Sequence, residues 1–334
     1  MTISRVLSSA WKALEEEDYS LAGCYERRIF THSNHSLFAG IVRPSNLLQL
    51  SLDVSVAQSA RVVEEETKGF RLRREHSPIA GKARLRLEVT NISYRDIFLV
   101  VSSDILAKIL DVHDDRQAVA VLRRRLEHWK RFMQASAPDG LPKSEQIGLF
   151  GELLVLRSML VLSNYNDVAL ASWRGPSGAN QDFIHRDRAI EVKTTASNEP
   201  TRVSISNERQ LDSHGLALLV LCHVCVDERV KAGMSLPLLV DEITAMLDTH
   251  LAPSFQDSLL EAGYHDSQRH IYLDRGFIER NRSYYKVSGD FPRITSSDLR
   301  VGVSDVCYHI DLSGSIHLKD AESQVFDLYF RNDS

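Results

Sequence analysis

Apolar and polar residues alternate along much of the first third of the chain. The alternation is clearest at 47–54, 70–73 and 83–89, and a period of two is typical of β-strands with one face in water. Residues 1–20 instead show the spacing of an amphipathic helix, whereas the apolar run at 96–101 predicts a more deeply buried strand. We therefore predict an α+β N-terminal domain that is mostly antiparallel β.

Helical spacing follows from Ser103 to Gln134, with an interruption at 111–115. The next segment, Ala135–Pro142, is rich in proline, glycine and small residues, which is typical of a linker. The sequence therefore predicts a β-rich N-terminal domain with connecting helices at 1–135 and a second domain at 143–334.

The second domain begins with a helix that is predicted from Ser144, a favourable capping residue, to about Leu162. A glycine-containing loop then leads to a hairpin with a polar turn at 185–188, and a buried strand is predicted at 217–226. Helix, strands, helix and strand in this order predict an α/β domain with a central mixed sheet.

Four charged residues of this second domain are candidate catalytic groups: Glu152, Asp182, Glu191 and Lys193. Glu191 and Lys193 lie two positions apart on a predicted buried strand and share one face, where charges are costly unless they are paired or bound to a metal. Eight residues separate Asp182 from Glu191, and an antiparallel hairpin of that length brings the two carboxylates close together. Because hard cations prefer oxygen ligands, the pattern indicates a Mg²⁺ site.

Glu152 lies between apolar pairs on the predicted helix, with Gly148 and Gly151 on its N-terminal side. Glycine in a helix interior costs about 1 kcal/mol relative to alanine, so these two glycines predict the close approach of another backbone or a ligand. The structural alternatives are an exposed helix glutamate at Glu152 and a solvated strand face at Glu191 and Lys193.

The spacing Asp182…Glu191-Val192-Lys193 resembles the D…(D/E)-x-K signature of the PD-(D/E)XK nuclease superfamily. The resemblance implies a restriction-endonuclease-like fold in which Asp182 and Glu191 bind Mg²⁺, with Mn²⁺ as an alternative ion. Glu152 matches the helix glutamate that completes the site in that superfamily, and Lys193 would position the attacking water. One departure is Gln181, which stands where the superfamily has proline.

A narrower resemblance is to uncharacterised PD-(D/E)XK proteins encoded in prokaryotic defence neighbourhoods. It rests on four segments, at 148–153, 173–176, 191–195 and 291–294. It implies a metal-dependent DNA endonuclease that acts against foreign DNA. The alternative is a catalytically inactive nuclease-fold subunit or a DNA-binding component of a multiprotein defence complex. The expected partners are DNA and a second copy of the chain, or a neighbouring ATPase or methylase.

Composition adds few constraints to this hypothesis. The 334 residues carry a formal net charge of −5, which argues against unspecific, charge-driven coating of nucleic acid. No apolar run reaches the length of about 18 residues that a transmembrane helix needs, so no membrane partner is expected. The N-terminal residues do not resemble a secretory signal, and we expect a cytoplasmic protein.

Cys222 and Cys225 have the C-x-x-C spacing of zinc or redox sites. They fall on a predicted buried strand, where positions three apart face opposite sides. We therefore predict buried free thiols rather than a metal site.

Three further groups of basic residues have two interpretations each. Four arginines on the polar phase of two strands form either a basic face for DNA phosphates or a solvated outer face: Arg71, Arg73, Arg84 and Arg86. The run at 123–125 belongs to a helix that contacts phosphates or a partner, or to a solvated connecting helix. The mixed aromatic and basic region at 264–293 is typical of a nucleic-acid surface but also of strands with exposed tyrosines.

Overall fold

The computed structural model describes residues 2–19, 21–135, 140–162, 166–196, 201–315 and 322–331. The chain forms two compact units, Met1–Asp139 and Gly140–Ser334. Residues 136–139 of the predicted linker lie outside the described residues. In the described ranges no helix is long and apolar enough to cross a membrane.

The first unit is built on an antiparallel sheet of strand order β1-β2-β3-β6-β5-β4. Its elements in chain order are α1 (Ile3–Glu16), β1 (Gly23–Ile29), β2 (Ser36–Arg43), β3 (Leu47–Ser55), α2 (Val56–Ser59), β4 (Glu65–Glu66), β5 (Phe70–His76), β6 (Lys82–Val89), α3 (Arg95–Leu110) and α4 (Asp115–Ala135). Helices α1 and α3 pack against the sheet, and Trp11 of α1 donates a hydrogen bond to the Gln49 carbonyl at 3.0 Å. The predicted antiparallel β architecture is confirmed.

The predicted strand at 96–101 is wrong, because these residues belong to helix α3. Its buried positions include Ile97, Val101 and Ile105, which are four residues apart and therefore lie on one face of a helix. A six-residue apolar run does not distinguish a buried strand from a buried helix.

Three of the four arginines singled out in the N-terminal sheet are held in ion pairs, whereas Arg73 is exposed. Arg84 is 7% exposed, and its Nε and Nη2 atoms donate to the two carboxylate oxygens of Asp53 at 2.7 and 2.8 Å. Arg86 pairs with Glu26 and Glu75. Acidic residues therefore neutralise most of the charges that the alternating pattern suggested for DNA contact.

The arginine run on α4 does not act as one surface either. Arg125 is buried and pairs with Asp104 at 2.7 Å, whereas Arg123 and Arg124 are exposed. Only two of the three guanidinium groups remain available to an external ligand.

The second unit contains the predicted mixed sheet, with strand order β11-β12-β10-β8-β7. Its elements are α5 (Lys143–Leu162), α6 (Asn166–Ser172), β7 (Phe183–His185), β8 (Arg188–Thr195), β9 (Arg202–Ile205), β10 (Leu218–Val230), β11 (Met234–Ser235), α7 (Leu236–Met246), α8 (Ala252–Glu261), α9 (Arg269–Tyr272), β12 (Arg275–Lys286), β13 (Tyr308–Asp311) and α10 (Glu322–Phe330). Strands β8 and β10 are parallel, and the other neighbours are antiparallel. A separate ribbon is formed by β9 and β13.

Helix α5 covers one face of this sheet and supplies a large part of the apolar core, including Phe150 and Leu153. Cys222 and Cys225 are buried free thiols of β10, as predicted. They lie on opposite sides of the strand, because Cys222 belongs to the core under α5 whereas Cys225 lies 3.6 Å from the Thr195 hydroxyl.

The aromatic residues of the region at 264–293 do not form an exposed stacking surface. Tyr264, Tyr272 and Tyr284 are buried, and Arg282 bonds to Glu279 and to the Ser158 hydroxyl, whereas Arg280 and Lys286 are exposed. These three tyrosines are core residues, so the interleaving of aromatic and basic residues along the sequence does not place them together on one surface.

Candidate active site

Helix α5 lies unusually close to strand β8 at Gly151. A Cβ atom at Gly151 would lie 1.7 Å from the Thr194 hydroxyl oxygen, so any larger residue would push the helix away from the sheet. The next residue, Glu152, is thereby held beside the strand that carries Glu191 and Lys193. Gly148 differs, because a Cβ there would meet open space. A close approach is therefore found at Gly151, where the neighbour is the Thr194 side chain, and no atom of the described residues approaches Gly148.

The hairpin of β7 and β8 places Asp182 next to Glu191. Phe183 pairs with Ile190 and His185 with Arg188, and Asp182 immediately precedes the first of these pairs. The Asp182 Oδ2 atom accepts a hydrogen bond from the Val192 amide at 2.7 Å. This bond fixes the carboxylate against β8, between the positions of Glu191 and Lys193.

One carboxylate oxygen of Glu152 and one of Asp182 lie close to Gly175, in the turn that precedes the hairpin. A Cβ atom at Gly175 would lie 2.7 Å from Glu152 Oε2 and 2.9 Å from Asp182 Oδ1. The helix and the hairpin therefore aim one oxygen each at the same small space. The Gly175 amide donates to the Asp182 carbonyl at 3.0 Å, which fixes the turn beside it.

Glu191 is the most unusual group of the site. Its side chain is 1% exposed, and Lys193 Nζ lies 2.8 Å from Oε1. The Lys193 ammonium is its charged partner, and in the described part of the chain no other group donates a hydrogen bond to either carboxylate oxygen. Burial and the nearby charges of Asp182 and Glu152 raise the pKa of Glu191, so a single ammonium compensates this buried carboxylate only in part.

Burial sets the electrostatics of the four side chains. It raises the pKa values of Glu152, Asp182 and Glu191, and the charge of Asp182 raises those of the two glutamates further. Burial alone would lower the pKa of Lys193, but the charges of Glu191 and Asp182 outweigh it and raise that pKa. Lys193 therefore stays cationic, whereas the carboxyl groups tend to hold protons when no other cation compensates them.

These donors fit a hard divalent cation. The three carboxyl groups of the site offer oxygen ligands, and one oxygen each of Glu152 and Asp182 lies beside Gly175. Over the described ranges, no group of three or more His, Cys, Asp or Glu side chains is arranged to hold a metal ion. Mg²⁺ does not require such a group, because it is usually bound by one or two carboxylates with water and substrate phosphate.

Two contributors to the site were not foreseen in these roles. Trp173 is buried, and its Nε1 atom donates a hydrogen bond to Glu152 Oε2 at 2.8 Å. Thr194 supplies the surface on which Gly151 rests. The signal for Trp173 was its place in the W-x-G-P segment shortly before Asp182, but no spacing rule indicates which carboxylate an indole will reach.

Comparison with known proteins identifies the family of the chain. A family model described as "Putative PD-(D/E)XK family member, (DUF4420)" matches residues 7–313. No curated protein and no solved structure matches the chain. Because the family model spans most of both units, this protein belongs to that PD-(D/E)XK family.

Proposed function

We propose that this protein is a divalent-metal-dependent DNA endonuclease that hydrolyses phosphodiester bonds. The observation that carries the proposal is the buried cluster of three carboxyl groups, Glu152, Asp182 and Glu191, around the single ammonium group of Lys193. A purely structural role needs no such cluster, and the family to which the chain belongs supports a nuclease-like activity.

In this proposal Asp182 and Glu191 hold Mg²⁺ or Mn²⁺, and Glu152 binds the ion or orients one of its waters. When bound, the ion would lower the pKa of the attacking water and polarise the phosphoryl oxygen. Lys193 remains protonated because of its acidic neighbours, so its ammonium group would orient the water and stabilise the negative charge that develops on the phosphate. The water oxygen would form the new P–O bond and release a proton to solvent, while the bond to the leaving oxygen breaks and that oxygen takes a proton from solvent, so that one water is consumed for each bond cleaved.

The proposal extends to the setting in which the enzyme works. A symmetric dimer is the simplest way to cut two strands, and we propose a homodimer or recruitment by a neighbouring ATPase or methylase. We further propose that it acts in the cytoplasm against foreign DNA. Equilibrium sedimentation tests the dimer, and a strictly monomeric enzyme with full activity on duplex DNA would contradict both arrangements.

Two substitutions on one strand test the division of labour at the site. Glu191→Gln should weaken Mn²⁺ binding, measured by isothermal titration, and excess metal should restore part of the plasmid cleavage. Lys193→Met should leave metal binding nearly intact yet lower the cleavage rate by about 10²–10³, the range typical of lost electrostatic stabilisation. Lys286→Met removes an exposed lysine of β12 and serves as the matched control.

The outcomes separate the hypotheses. If Lys193→Met cuts as well as the parent protein, β8 is not the catalytic edge. If the parent protein binds Mn²⁺ and DNA but never cuts, the chain is instead an inactive nuclease-fold subunit of a larger defence complex.

A further inference from the structure

Gln181 stands directly before Asp182, where the signature of the superfamily has proline. It is 7% exposed, and its Nε2 atom donates to the Arg209 carbonyl at 2.9 Å and to the Gln210 carbonyl at 3.3 Å. One amide nitrogen carries two hydrogens and can therefore serve both acceptors. Proline has no donor group at all, so glutamine makes a connection to a distant segment that proline at this position cannot make.

The two carbonyls belong to a turn at residues 207–213, which we call the bracing turn. A second side chain holds this turn, because Arg293 donates from Nη1 to the Leu211 carbonyl at 3.0 Å and to the Ser213 hydroxyl at 2.9 Å. Arg293 belongs to the segment at 291–294 that carried part of the family resemblance. Three successive carbonyl groups of the bracing turn thus accept hydrogen bonds from two segments that are far away in the chain.

The bracing turn is itself fixed in the core of the second unit. Leu211 is fully buried in an apolar cluster that also contains Ala189 of β8 and Leu221 of β10. Phe291, two residues before Arg293, packs against the same cluster. Apolar packing therefore sets the position of the turn relative to β8, and the turn can serve as a fixed support for a side chain that bonds to it.

The backbone that leads into Asp182 has little other support. Residues 178–180 are exposed, and within the described ranges no backbone amide of residues 179–181 donates to a backbone carbonyl. On the far side, the Asp182 carboxylate accepts the hydrogen bond from the Val192 amide at 2.7 Å. The side chain of Gln181 therefore fixes the chain at the point where it enters the hairpin.

From these contacts we infer that Gln181 is a positioning residue for Asp182, which it holds through the bracing turn together with Arg293. The inference rests on the proposed function, because Asp182 is one of the proposed metal ligands. A carboxylate on a loosely held backbone must be ordered when the ion binds, and the lost conformational entropy weakens binding. Groups that orient a metal ligand without touching the ion typically change metal affinity about 10- to 100-fold.

One variant and one matched control test the inference. Gln181→Met removes the donor and nearly preserves the length of the side chain. Gln146→Met serves as the control, because Gln146 of α5 is also buried and its amide also donates to a backbone carbonyl, that of Leu141 at 2.6 Å. Two measurements require no cleavage of DNA: the Kd for Mn²⁺ from isothermal titration, and the hydrogen exchange of the Val192 amide in the metal-free protein, followed by NMR.

Gln181→Met should raise the Kd for Mn²⁺ about 10- to 100-fold. It should also accelerate the exchange of the Val192 amide about tenfold relative to the amides of β10, because the hairpin opens locally. Gln146→Met should leave both quantities close to their parent values. Because Gln181 does not touch the substrate, excess Mn²⁺ should restore the parent kcat, and the KM for DNA should stay unchanged. A merely structural role would lower the stability of both variants and change neither the Kd nor the relative exchange rate.

Arg293→Met tests the route through the bracing turn. It should also raise the Kd for Mn²⁺, and the double variant with Gln181→Met should lose less affinity than the product of the two single effects, because both side chains hold the same turn. If the two effects simply multiply, the residues act independently and the bracing turn does not connect them.

The failure of this inference differs from the failure of the nuclease proposal. If Gln181→Met binds Mn²⁺ and protects the Val192 amide as the parent does, Gln181 is not a positioning residue. Should this variant not fold, Gln181→Asn decides, since its shorter side chain keeps the amide and should change both quantities in the same direction; unchanged values overturn the inference. If the parent never cuts DNA but Gln181→Met weakens Mn²⁺ binding as expected, the inference stands and the hydrolytic function falls. If the parent binds no Mn²⁺, the proposed function falls, and the Val192 exchange alone decides whether Gln181 holds Asp182.

Discussion

The most direct test of the metal position is to fill it with a methyl group. Gly175→Ala would place a Cβ atom 2.7 Å from Glu152 Oε2 and 2.9 Å from Asp182 Oδ1, between two of the three carboxylates that we propose to act on the cation. The two oxygens have separate anchors, since Trp173 donates to the first side chain and the Val192 amide to the second. The methyl group must therefore displace at least one carboxylate from an existing hydrogen bond.

We expect Gly175→Ala to weaken metal binding without lowering the stability of the fold. Gly175 does not have a left-handed backbone conformation, so alanine is allowed there and reduces the entropy of the unfolded chain, which contributes about 0.4–1 kcal/mol of stability. The close contacts involve the ends of two side chains and offset that gain. We expect the free energy of unfolding of the metal-free protein to stay within about 1 kcal/mol of the parent, while the Kd for Mn²⁺ rises at least tenfold, or about 1.4 kcal/mol.

Urea denaturation with and without Mn²⁺ separates the two effects. Mn²⁺ at one hundred times the parent Kd should stabilise the parent protein by about 2.7 kcal/mol and a tenfold weaker variant by only about 1.4 kcal/mol. Gly148→Ala makes the same substitution in α5, where a Cβ atom meets open space, and it should retain parent metal binding. If Gly175→Ala binds Mn²⁺ as tightly as the parent, the space between Glu152 and Asp182 is not the metal position.

Three further predictions address the hydrogen bonds and charges around this site and in the N-terminal sheet. Trp173→Phe removes the donor to Glu152 Oε2 and should weaken Mn²⁺ binding about 10- to 100-fold in isothermal titration; an unchanged Kd would show that the indole does not position the carboxylate. The pKa of Glu152 is raised above its ordinary value of 4.5, so the folded metal-free protein binds more protons than the unfolded chain, and its free energy of unfolding should fall as the pH rises through that raised pKa. Glu152→Gln should flatten this fall in urea titrations between pH 5 and 8, and a fall of parent size would assign it to another group. Arg84→Met leaves the Asp53 carboxylate buried without its two hydrogen bonds and should lower the free energy of unfolding by about 3–5 kcal/mol. A loss below about 1 kcal/mol would mean that water reaches the carboxylate and replaces the arginine.

The features that the sequence predicted well are those set by short-range spacing. Helix α5 begins at Lys143 and ends at Leu162, next to the predicted start and at the predicted end. The hairpin turn and the adjacency of Asp182 and Glu191 also follow from local rules, because a tight antiparallel connection leaves few choices of register. The structure brings Glu152 to the same place through Gly151, whose missing side chain was visible in the sequence although its partner Thr194 was not.

The features that the sequence misjudged depend on partners far away in the chain. Arg84 lies on the polar phase of an alternating strand, yet Asp53 and Glu26 from two other strands bury and neutralise it. The run at 96–101 has the composition of a strand, but its role in α3 depends on which face meets α1 and the sheet. The sequence pattern shows which face of a strand or helix a residue occupies, but it does not show which residues contact it. It therefore distinguishes polar from apolar positions, but it does not distinguish solvated charges from paired ones.

The charge balance of the site distinguishes a structural ion pair from a cation site. Lys193 and Glu191 alone would form a neutral buried pair, and such pairs occur for structural reasons. Glu152 and Asp182 add two more buried carboxyl groups, so that the fully ionised cluster of three carboxylates and one ammonium has a net charge of −2. A fold selected for stability alone would gain by replacing such groups with apolar residues of similar volume. One divalent cation would cancel that charge and give the carboxylates a partner besides Lys193, so the residues that destabilise the metal-free fold would be compensated when the site is loaded.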